Sequence, residues 1–252
     1  MNKSIARQVI EANRRVFDAK DFDQYESNPS IFEASRQSEI ERLLAASASS
    51  QRRMLDVGCG TGNVLRLARK FFPECWGIDL SPKLLVELGR RCPDLRLSAA
   101  QADRLPYRDG SFDLVTMYGV LHHLVDHASV FESCRRLLRP GGTLYADHDP
   151  NYFFGRFYHL YYRMRHLHRP GFGTEDAEMS EWHHTRTGGL NPFVLRDQLL
   201  GAGFREVEVH FRITTNPALS LPFRVIRAMM RAVTKLYPFK SLYTHFWLLA
   251  RT

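Results

Sequence analysis

Long apolar runs are missing from this chain of 252 residues, and no stretch is long enough to span a bilayer. The first residues, Met1-Asn2-Lys3-Ser4-Ile5, have no apolar targeting core. Cysteine is scarce, and the four cysteines lack the spacing of a zinc site or of a disulfide framework. These absences argue against a membrane-spanning protein and a disulfide-stapled secreted domain. We therefore expect a cytoplasmic protein with reduced, structural thiols.

Acidic residues are outnumbered, since 35 Lys and Arg face 27 Asp and Glu, which gives a formal net charge of +8. The basic residues nevertheless form no continuous block and no recognition-helix or RNA-binding strand pattern. They are spread through arginine-rich helical segments, where a solvated surface accounts for them. We therefore expect no nucleic-acid partner. A hydrophobic content of 44% is enough for one large α/β domain.

A glycine-rich turn follows a short buried-strand pattern that begins at Met54, and a helix-compatible run follows the turn. Gly58, Gly60 and Gly62 alternate, and such glycines let the main chain approach a ligand closely. Their G-x-G-x-G spacing differs from the G-x-G-x-x-G fingerprint, so a pyrophosphate cradle is the weaker interpretation. Asp79 ends the next strand pattern, about 20 residues beyond the turn, where an acid grips a ribose diol.

The segment Leu55-Asp56-Val57-Gly58-Cys59-Gly60-Thr61-Gly62 resembles the first motif of the class I S-adenosylmethionine-dependent methyltransferases. Three further landmarks follow in the family's order. They are an acidic-Leu-Pro-aromatic loop at 101–113, a Phe-Asp strand with a Val-Leu-His-His-Leu tail at 112–124, and a Pro-Gly-Gly turn with its flanks at 136–145. The four segments are similar in detail to those of the type-11, ubiquinone- and menaquinone-biosynthesis-like branch, whose members modify small molecules.

The resemblance implies an α/β fold with a Rossmann-like, doubly wound sheet of seven strands. Its strand order would be 3-2-1-4-5-7-6, with strand seven antiparallel. We expect residues 1–50 to form an N-terminal helical lid and residues 51–252 to form the methyltransferase core. Helical insertions are expected at 150–190 and 214–242.

S-adenosyl-L-methionine is the cofactor that the resemblance implies. Asp79 would hold the ribose hydroxyls, while Gln101 and the main-chain N–H of Ala102 would hold the adenine. The family more often shows Asp where Gln101 stands, but a Gln amide oxygen also accepts from an exocyclic amine; Asp103 is the alternative. The predicted cofactor-binding residues are Asp56, Gly58, Gly60, Asp79, Leu80, Gln101, Ala102 and Tyr118.

A hydroxyl or carbon acceptor must lose a proton, and a general base speeds that loss. His123 follows the fourth strand, and Asp147 and His148 end the fifth, so these three are the predicted catalytic residues. Histidine titrates near neutrality, and Asp147 would orient it. The alternative is that His122 and His123 only cap or brace the helix that begins near Asp126.

Two more adjacent histidines, His183 and His184, lie in the loop before the helix at Asn191. By analogy this loop also lies on the acceptor side. Adjacent histidines without a spaced set of Cys or carboxylate ligands do not predict a metal centre, so we expect none.

The predicted function is methyl transfer to oxygen or carbon of a small molecule with aromatic or lipid-like character. An aromatic insertion at 151–165 motivates the acceptor class, because loops after the strands build the ligand crevice. The alternative is that these aromatics only pack their helix onto the sheet. Tyr25 likewise either covers the methyl donor or packs the lid. A non-catalytic S-adenosylmethionine-binding protein is the alternative function, followed by a nicotinamide-dependent oxidoreductase.

A basic stripe of Arg224, Arg227, Arg231 and Lys235 runs beside apolar residues in the second insertion. Such a helix, at 217–240, is a candidate for peripheral contact with an anionic membrane. The alternative is that its apolar face packs on the domain or on a partner subunit in a homodimer and leaves the stripe in water.

Overall fold

The computed structural model describes residues 3–27, 34–47, 52–156, 173–214 and 221–252. Its strands are β1 (Arg53–Val57), β2 (Glu74–Asp79), β3 (Arg96–Ala99), β4 (Phe112–Tyr118), β5 (Leu138–Pro150), β6 (Glu206–Arg212) and β7 (His245–Arg251). They form one seven-stranded sheet in the order β3-β2-β1-β4-β5-β7-β6. Strand β7 is antiparallel to both neighbours, and the other pairs are parallel. The predicted fold is therefore confirmed.

Helices cover the sheet and its carboxyl edge, and short 3-10 turns lie at Leu121–His123 and Lys240–Leu242. Residues 152–156 are also helical. In the described ranges, no helix has both the length and the apolar character to cross a membrane. The helices are α1 (Lys3–Asp18), α2 (Phe22–Glu26), α3 (Ala34–Ser47), α4 (Asn63–Ala68), α5 (Pro82–Arg91), α6 (His127–Leu137), α7 (Glu175–Ser180), α8 (Trp182–Arg186), α9 (Pro192–Gly201) and α10 (Leu221–Leu236).

The central strands β1 and β4 are buried along almost their whole length. Leu55 and Val115 pack in one core cluster, whereas Met54 and Leu114 pack in the other. Apolar residues on both faces are typical of a strand that is covered by helices on both sides. This arrangement aligns the carboxyl ends of β1, β2 and β4 at one edge, where the glycine turn and Asp79 lie.

Local capping determines where the helices beside this edge begin. The Ser81 side chain accepts a hydrogen bond from Leu84 N at 3.2 Å, and Pro82 occupies the first turn of α5. The Asp126 side chain caps α6 by accepting from Ser129 N at 3.2 Å. Because Asp126 is the cap, the adjacent histidine pair is not needed to start this helix.

Helix α1 lies across the carboxyl edge and is tied to both sides of it. Asp18 accepts a hydrogen bond from Ser81 Oγ at 2.6 Å, and Arg15 forms an ion pair of 2.7 Å with Asp176 of α7. The predicted lid thus includes a helix that bridges α5 and α7. Parts of three predicted segments lie outside the described residues, namely 28–33 and 48–50 of the lid, 157–165 of the aromatic insertion and 215–220 before α10.

Helix α10 presents its apolar residues to solvent and turns part of its basic stripe towards the sheet. Arg227 Nη1 donates to the Thr214 carbonyl and hydroxyl oxygens, both at 2.7 Å. Met229 is 63% exposed, and Val225 and Ile226 are also exposed. This arrangement is the reverse of an apolar face packed on its own domain, so that alternative is wrong.

Candidate active site

A cavity of about 230 Å³ lies at the carboxyl edge of the sheet, beneath α1. Its walls combine the glycine turn, the end of β2, the loop after β3 and the end of β4. Seven of the eight predicted cofactor residues line it, and so does His123. The predicted residues on the wall are Gly58, Gly60, Asp79, Leu80, Gln101, Ala102, Tyr118 and His123.

The glycine turn is held in a shape that side chains would obstruct. Gly58 N donates to the Ile78 carbonyl at 2.8 Å, which ties the turn to β2. Gly58 has φ +72°, and a Cβ there would lie 2.6 Å from Val120 Cγ2. At Gly60, with φ +49°, a Cβ would lie 3.5 Å from the Tyr25 ring, an ordinary contact. Position 58 therefore needs glycine for both packing and conformation, whereas position 60 needs it for conformation alone.

Asp79 supports the turn and faces the cavity. Its Oδ2 accepts a hydrogen bond from Gly60 N at 2.8 Å, and its Oδ1 accepts one from Ser81 N at 2.8 Å. Burial raises the pKa of Asp79, and these main-chain donors partly oppose the rise. A carboxylate oxygen has two acceptor sites, so each oxygen can accept a further hydroxyl proton. The geometry therefore suits the predicted contact with a ribose diol.

The lid contributes cavity residues that the sequence analysis missed. Phe17 lies between Tyr25 and His123, with ring centroids 5.9 Å and 5.3 Å away, and all three line the cavity. Asn13 also lines it, and its amide donates to Val9 O at 2.9 Å and to His123 O at 3.3 Å. Across the described part of the chain, no partner hydrogen-bonds the buried Asn13 Oδ1, which leaves an acceptor for a ligand. An Asn on the buried face of an amphipathic helix is the signal that could have identified it.

Asp56 differs from the other predicted cofactor residues because its side chain is not part of the cavity wall that the described residues form. Its Oδ1 accepts a hydrogen bond from Thr116 Oγ1 at 2.6 Å, between β1 and β4. Burial raises its pKa to about 7, although the Thr116 bond opposes this. Asp56 therefore lies beneath the turn, and its direct contact with a cofactor stays a prediction.

His123 reaches the cavity from the 3-10 turn after β4. Its Nδ1 is 2.8 Å from the main-chain oxygen of Ser180, at the end of α7. A carbonyl oxygen can only accept, so Nδ1 carries the proton in the neutral ring and Nε2 carries the lone pair. The structure thus places one of the three predicted catalytic residues at the cavity.

Asp147 does not orient His123, contrary to the prediction. It is fully buried and pairs with Arg36, with Arg212 at 3.2 Å and with the Tyr145 hydroxyl at 2.6 Å. These groups lie on the side of β5 that faces α3. Arg36 had no predicted role, and it comes from a helix that is distant in sequence. Asp147 therefore neutralises the charge of buried arginines and does not orient His123 on the cavity wall.

A bulge in β5 explains which acid reaches the histidines. Asp147 pairs with Trp247 of β7, but Asp149 pairs with the preceding Phe246, so the register shifts at the intervening residue. That residue, His148, has φ +67°. The shift interrupts the alternation of side chains, and Asp149 Oδ1 lies 2.8 Å from Nδ1 of His122.

His148 is placed away from the cavity wall as the described residues define it. Its ring stacks on Tyr118 and on His245, with centroids 5.0 Å away in both cases. Arg212 Nη2 lies 3.0 Å from His148 Nδ1 and can only donate, so this nitrogen accepts. The predicted catalytic role of His148 is therefore not supported by this geometry, since Nδ1 already holds a donor.

His183 also has a packing role, because its Nε2 lies 2.8 Å from the Leu124 carbonyl oxygen. The neighbouring acid Glu181 lies between α7 and α8 and approaches the histidine pair. His122, His123 and Glu181 bring potential ligand atoms within 4.8 Å of one another. This cluster was not predicted, because Glu181 lies far along the chain from the two histidines.

Comparison with known proteins identifies the family. Residues 55–146 match the family described as "Methyltransferase domain". The ubiquinone biosynthesis O-methyltransferase of Methylococcus capsulatus is 30% identical over 195 residues, which are 70% of this chain and 77% of the relative. The chain belongs to the class I S-adenosylmethionine-dependent methyltransferases.

The methyltransferase falls in the type-11 branch of that family. The demethylmenaquinone methyltransferase of Geobacillus kaustophilus is 33% identical over 172 residues, which are 63% of this chain and 73% of the relative. A solved S-adenosylmethionine-dependent methyltransferase from Mesorhizobium loti superimposes with a TM-score of 0.59 at 20% identity. The match covers 87% of this chain and 99% of the Mesorhizobium loti chain, and it shows the shared fold.

The methyltransferase therefore uses S-adenosylmethionine, whose sulfonium supplies an activated methyl group. The cavity fits it at two points, since Gly58 and Gly60 place main chain without side chains on the cavity wall and Asn13 Oδ1 offers a buried acceptor. Asp79 would hold the ribose, and Gln101 with Ala102 would hold the adenine.

Proposed function

We propose that the enzyme methylates oxygen or carbon of a small molecule with aromatic or lipid-like character. The observation that carries this proposal is the placement of His123, whose Nε2 lone pair is available on the wall of the donor cavity. Oxygen and carbon acceptors lose a proton during transfer, so a neutral imidazole nitrogen is useful to both. His123 is the residue of this chain that we assign to act on the acceptor.

Apolar side chains beside His123 support an acceptor with apolar surface. Ala6 and Ile10 of α1 and the pair Leu124 and Val125 line the same cavity. The two curated relatives also support it, since one is named an O-methyltransferase of ubiquinone biosynthesis and the other a demethylmenaquinone methyltransferase. A quinone precursor combines an aromatic ring with an apolar chain, which is the acceptor class proposed for this enzyme.

The aromatic insertion adds less support than the sequence analysis expected. Phe153 meets Phe193 of α9 edge to face, with centroids 6.1 Å apart, and Tyr152 meets Phe153 in the same way at 5.7 Å. The described start of the insertion thus packs on the domain. The proposal for an aromatic or lipid-like acceptor rests instead on the wall around His123.

Helix α10 suits an enzyme whose acceptor resides in a membrane. Its exposed apolar residues include Met229 and Leu236, and the exposed cations Arg224 and Lys235 flank them. No acidic residue occurs between its first and last positions. An apolar face bordered by cations binds to anionic phospholipid surfaces. We propose peripheral contact of α10 with such a surface; a dimer formed through the same face is the competing outcome.

Transfer of a labelled methyl group from S-adenosylmethionine into a cell extract tests the proposed function. The extract is separated into lipid and polar fractions after reaction with wild type, Asp79→Ala or His123→Asn. Asparagine keeps an N–H donor near the position of His123 Nδ1 but removes the Nε2 lone pair. We expect label in the lipid fraction with wild type, loss of cofactor binding in Asp79→Ala, and cofactor binding without turnover in His123→Asn.

His210→Ala is the matched control, because His210 is a partly exposed histidine on β6 that pairs with Glu208 at 3.0 Å, away from the cavity. It should transfer label as wild type does. Label confined to small, fully polar acceptors would contradict the proposed acceptor class. Cofactor binding without any labelled acceptor would favour the non-catalytic binding protein.

A further inference from the structure

We propose that His122, His123 and Glu181 bind one divalent transition-metal ion at the edge of the donor cavity. One potential ligand atom from each residue lies within 4.8 Å of the other two. His122 Nε2 and Glu181 Oε2 are 3.7 Å apart. Around a tetrahedral ion with bonds of about 2.1 Å, ligand atoms are about 3.4 Å apart. Side-chain shifts on the order of 1 Å therefore complete the site.

Both histidines already have the outer hydrogen bonds of metal-ligating imidazoles. His122 Nδ1 lies 2.8 Å from Asp149 Oδ1, and His123 Nδ1 lies 2.8 Å from the Ser180 main-chain oxygen. A ligating histidine usually donates its second ring N–H to a carboxylate or a carbonyl, which orients the ring and raises its basicity. With Nδ1 engaged in each ring, Nε2 is the nitrogen left to bind an ion.

The surroundings hold these ligands close together. The rings of His122 and His123 have centroids 4.0 Å apart, and Phe17 packs edge-on against His123 at 5.3 Å. Glu181 joins α7 to α8, next to the Ser180 carbonyl that orients His123. Two imidazoles and a carboxylate are ligand types that bind a divalent transition-metal ion.

Two histidines and one carboxylate are a ligand set for zinc or for other first-row transition ions. Three protein ligands also leave a coordination position open. Because His123 lines the cavity, we place that open position on the cavity side of the cluster. This cluster is thus distinct from the contacts that hold the cofactor.

The role of the ion rests on the proposed function. An acceptor hydroxyl that binds the ion becomes more acidic, and its proton passes to solvent water. The new bond then forms between that oxygen and the methyl carbon. The bond between the methyl carbon and sulfur breaks, and its electron pair stays on sulfur. When the ion is bound, His123 therefore acts on the acceptor as a ligand of the ion and not as the base, and its Nε2 lone pair can take the proton only in ion-free protein.

Titration with Co²⁺ tests the site without any measurement of turnover. Tag-free protein is stripped with a chelator, and the visible absorption of bound Co²⁺ gives affinity and stoichiometry. We expect one ion per chain in wild type and at least about tenfold weaker binding in Glu181→Gln and His123→Asn. Glu178→Gln, an exposed acid in the last turn of α7, is the matched control and should bind as wild type does.

Equal Co²⁺ affinity in wild type and Glu181→Gln overturns the site, and so does the absence of saturable binding in wild type. Failure of the proposed function has a different signature. If the ion binds through these ligands and no acceptor is labelled, the site stands and the function falls. If methyl transfer proceeds in protein that binds no ion, the function stands and the site falls.

Discussion

The steric demand at Gly58 allows a quantitative test of the turn. In Gly58→Ala the new Cβ lies 2.6 Å from Val120 Cγ2 and 3.2 Å from Cγ1, at a residue with φ +72°. The left-handed backbone costs about 1–2 kcal/mol for a non-glycine residue, and overpacking costs about 1–3 kcal/mol. We therefore expect Gly58→Ala to lower the free energy of unfolding by about 2–5 kcal/mol.

Two further variants separate strain from collision. In Gly60→Ala the Cβ meets the Tyr25 ring at an ordinary 3.5 Å, so only the backbone term of about 1–2 kcal/mol applies. In Val120→Ala the two Cγ atoms are removed and the Cβ remains, 3.5 Å from the new methyl group at position 58. Gly58→Ala should therefore cost about 1–3 kcal/mol less in the Val120→Ala background than in wild type.

Equilibrium unfolding in urea measures wild type, the three single variants and the Gly58→Ala/Val120→Ala double variant, and similar m-values are needed for the comparison. The double-mutant cycle isolates the coupling between positions 58 and 120. Additive effects within about 0.5 kcal/mol would refute the collision with Val120. A cost of Gly60→Ala equal to that of Gly58→Ala would refute the separation of the two terms.

Three other perturbations follow from the charges and the exposed helix. In Asp56→Asn we expect a stability advantage over wild type that grows by about 1–3 kcal/mol from near pH 5 to near pH 8, measured in urea. The pKa of Asp56 is about 7 in the folded protein and exceeds the ordinary 3.8, so wild type loses stability as pH rises between these values. If the difference in unfolding free energy between Asp56→Asn and wild type does not change with pH, the argument is wrong. Asp147→Ala should cost about 3–5 kcal/mol of unfolding free energy because Arg36 and Arg212 lose the buried acid that they share. The exposed Asp176→Ala should cost less than about 1 kcal/mol, and equal costs would contradict the argument. Met229→Glu should abolish sedimentation of the protein with anionic vesicles. Unchanged sedimentation contradicts membrane contact through α10. If wild type is a dimer and Met229→Glu dissociates it, the exposed face of α10 binds a second copy of the chain.

The donor side could be predicted because short local segments encode it. Alternating glycines after an apolar strand predict a turn, and the next strand of a parallel sheet must place Asp79 beside it. The same segments place Gly58 and Gly60 on the cavity wall. Asp56 shows the limit of this argument, because its position in the motif does not reveal that its carboxylate points under the turn to Thr116.

The helices expected near Asp126 and at Asn191 begin at His127 and Pro192, whereas the orientation of α10 was not predicted. The predicted stripe of arginines is present, but Arg227 finds carbonyl and hydroxyl acceptors at Thr214. Helical periodicity shows which residues share a face and does not show which face meets the domain. Here Arg227 donates hydrogen bonds to Thr214, just after β6, in the orientation that turns this arginine towards the sheet.

The contacts of His123 and Asp147 could not be predicted because they join segments that are distant in sequence. His123 meets Ser180, which is 57 positions away, and Arg36 meets Asp147 across 111 positions. Simple strand alternation would place Asp147 and Asp149 on one face, yet the register shift at His148 sends one to the arginines and the other to His122. A one-residue bulge thus divides two acids, so that Asp147 balances charge in the core and Asp149 orients His122, the neighbour of the cavity residue His123. The proposed donor contacts lie in the glycine turn, at the end of β2 and in the loop after β3, whereas His122 and His123 are oriented by the bulge and by α7. We therefore expect that changes in the bulge or in α7 alter acceptor chemistry and leave donor binding intact.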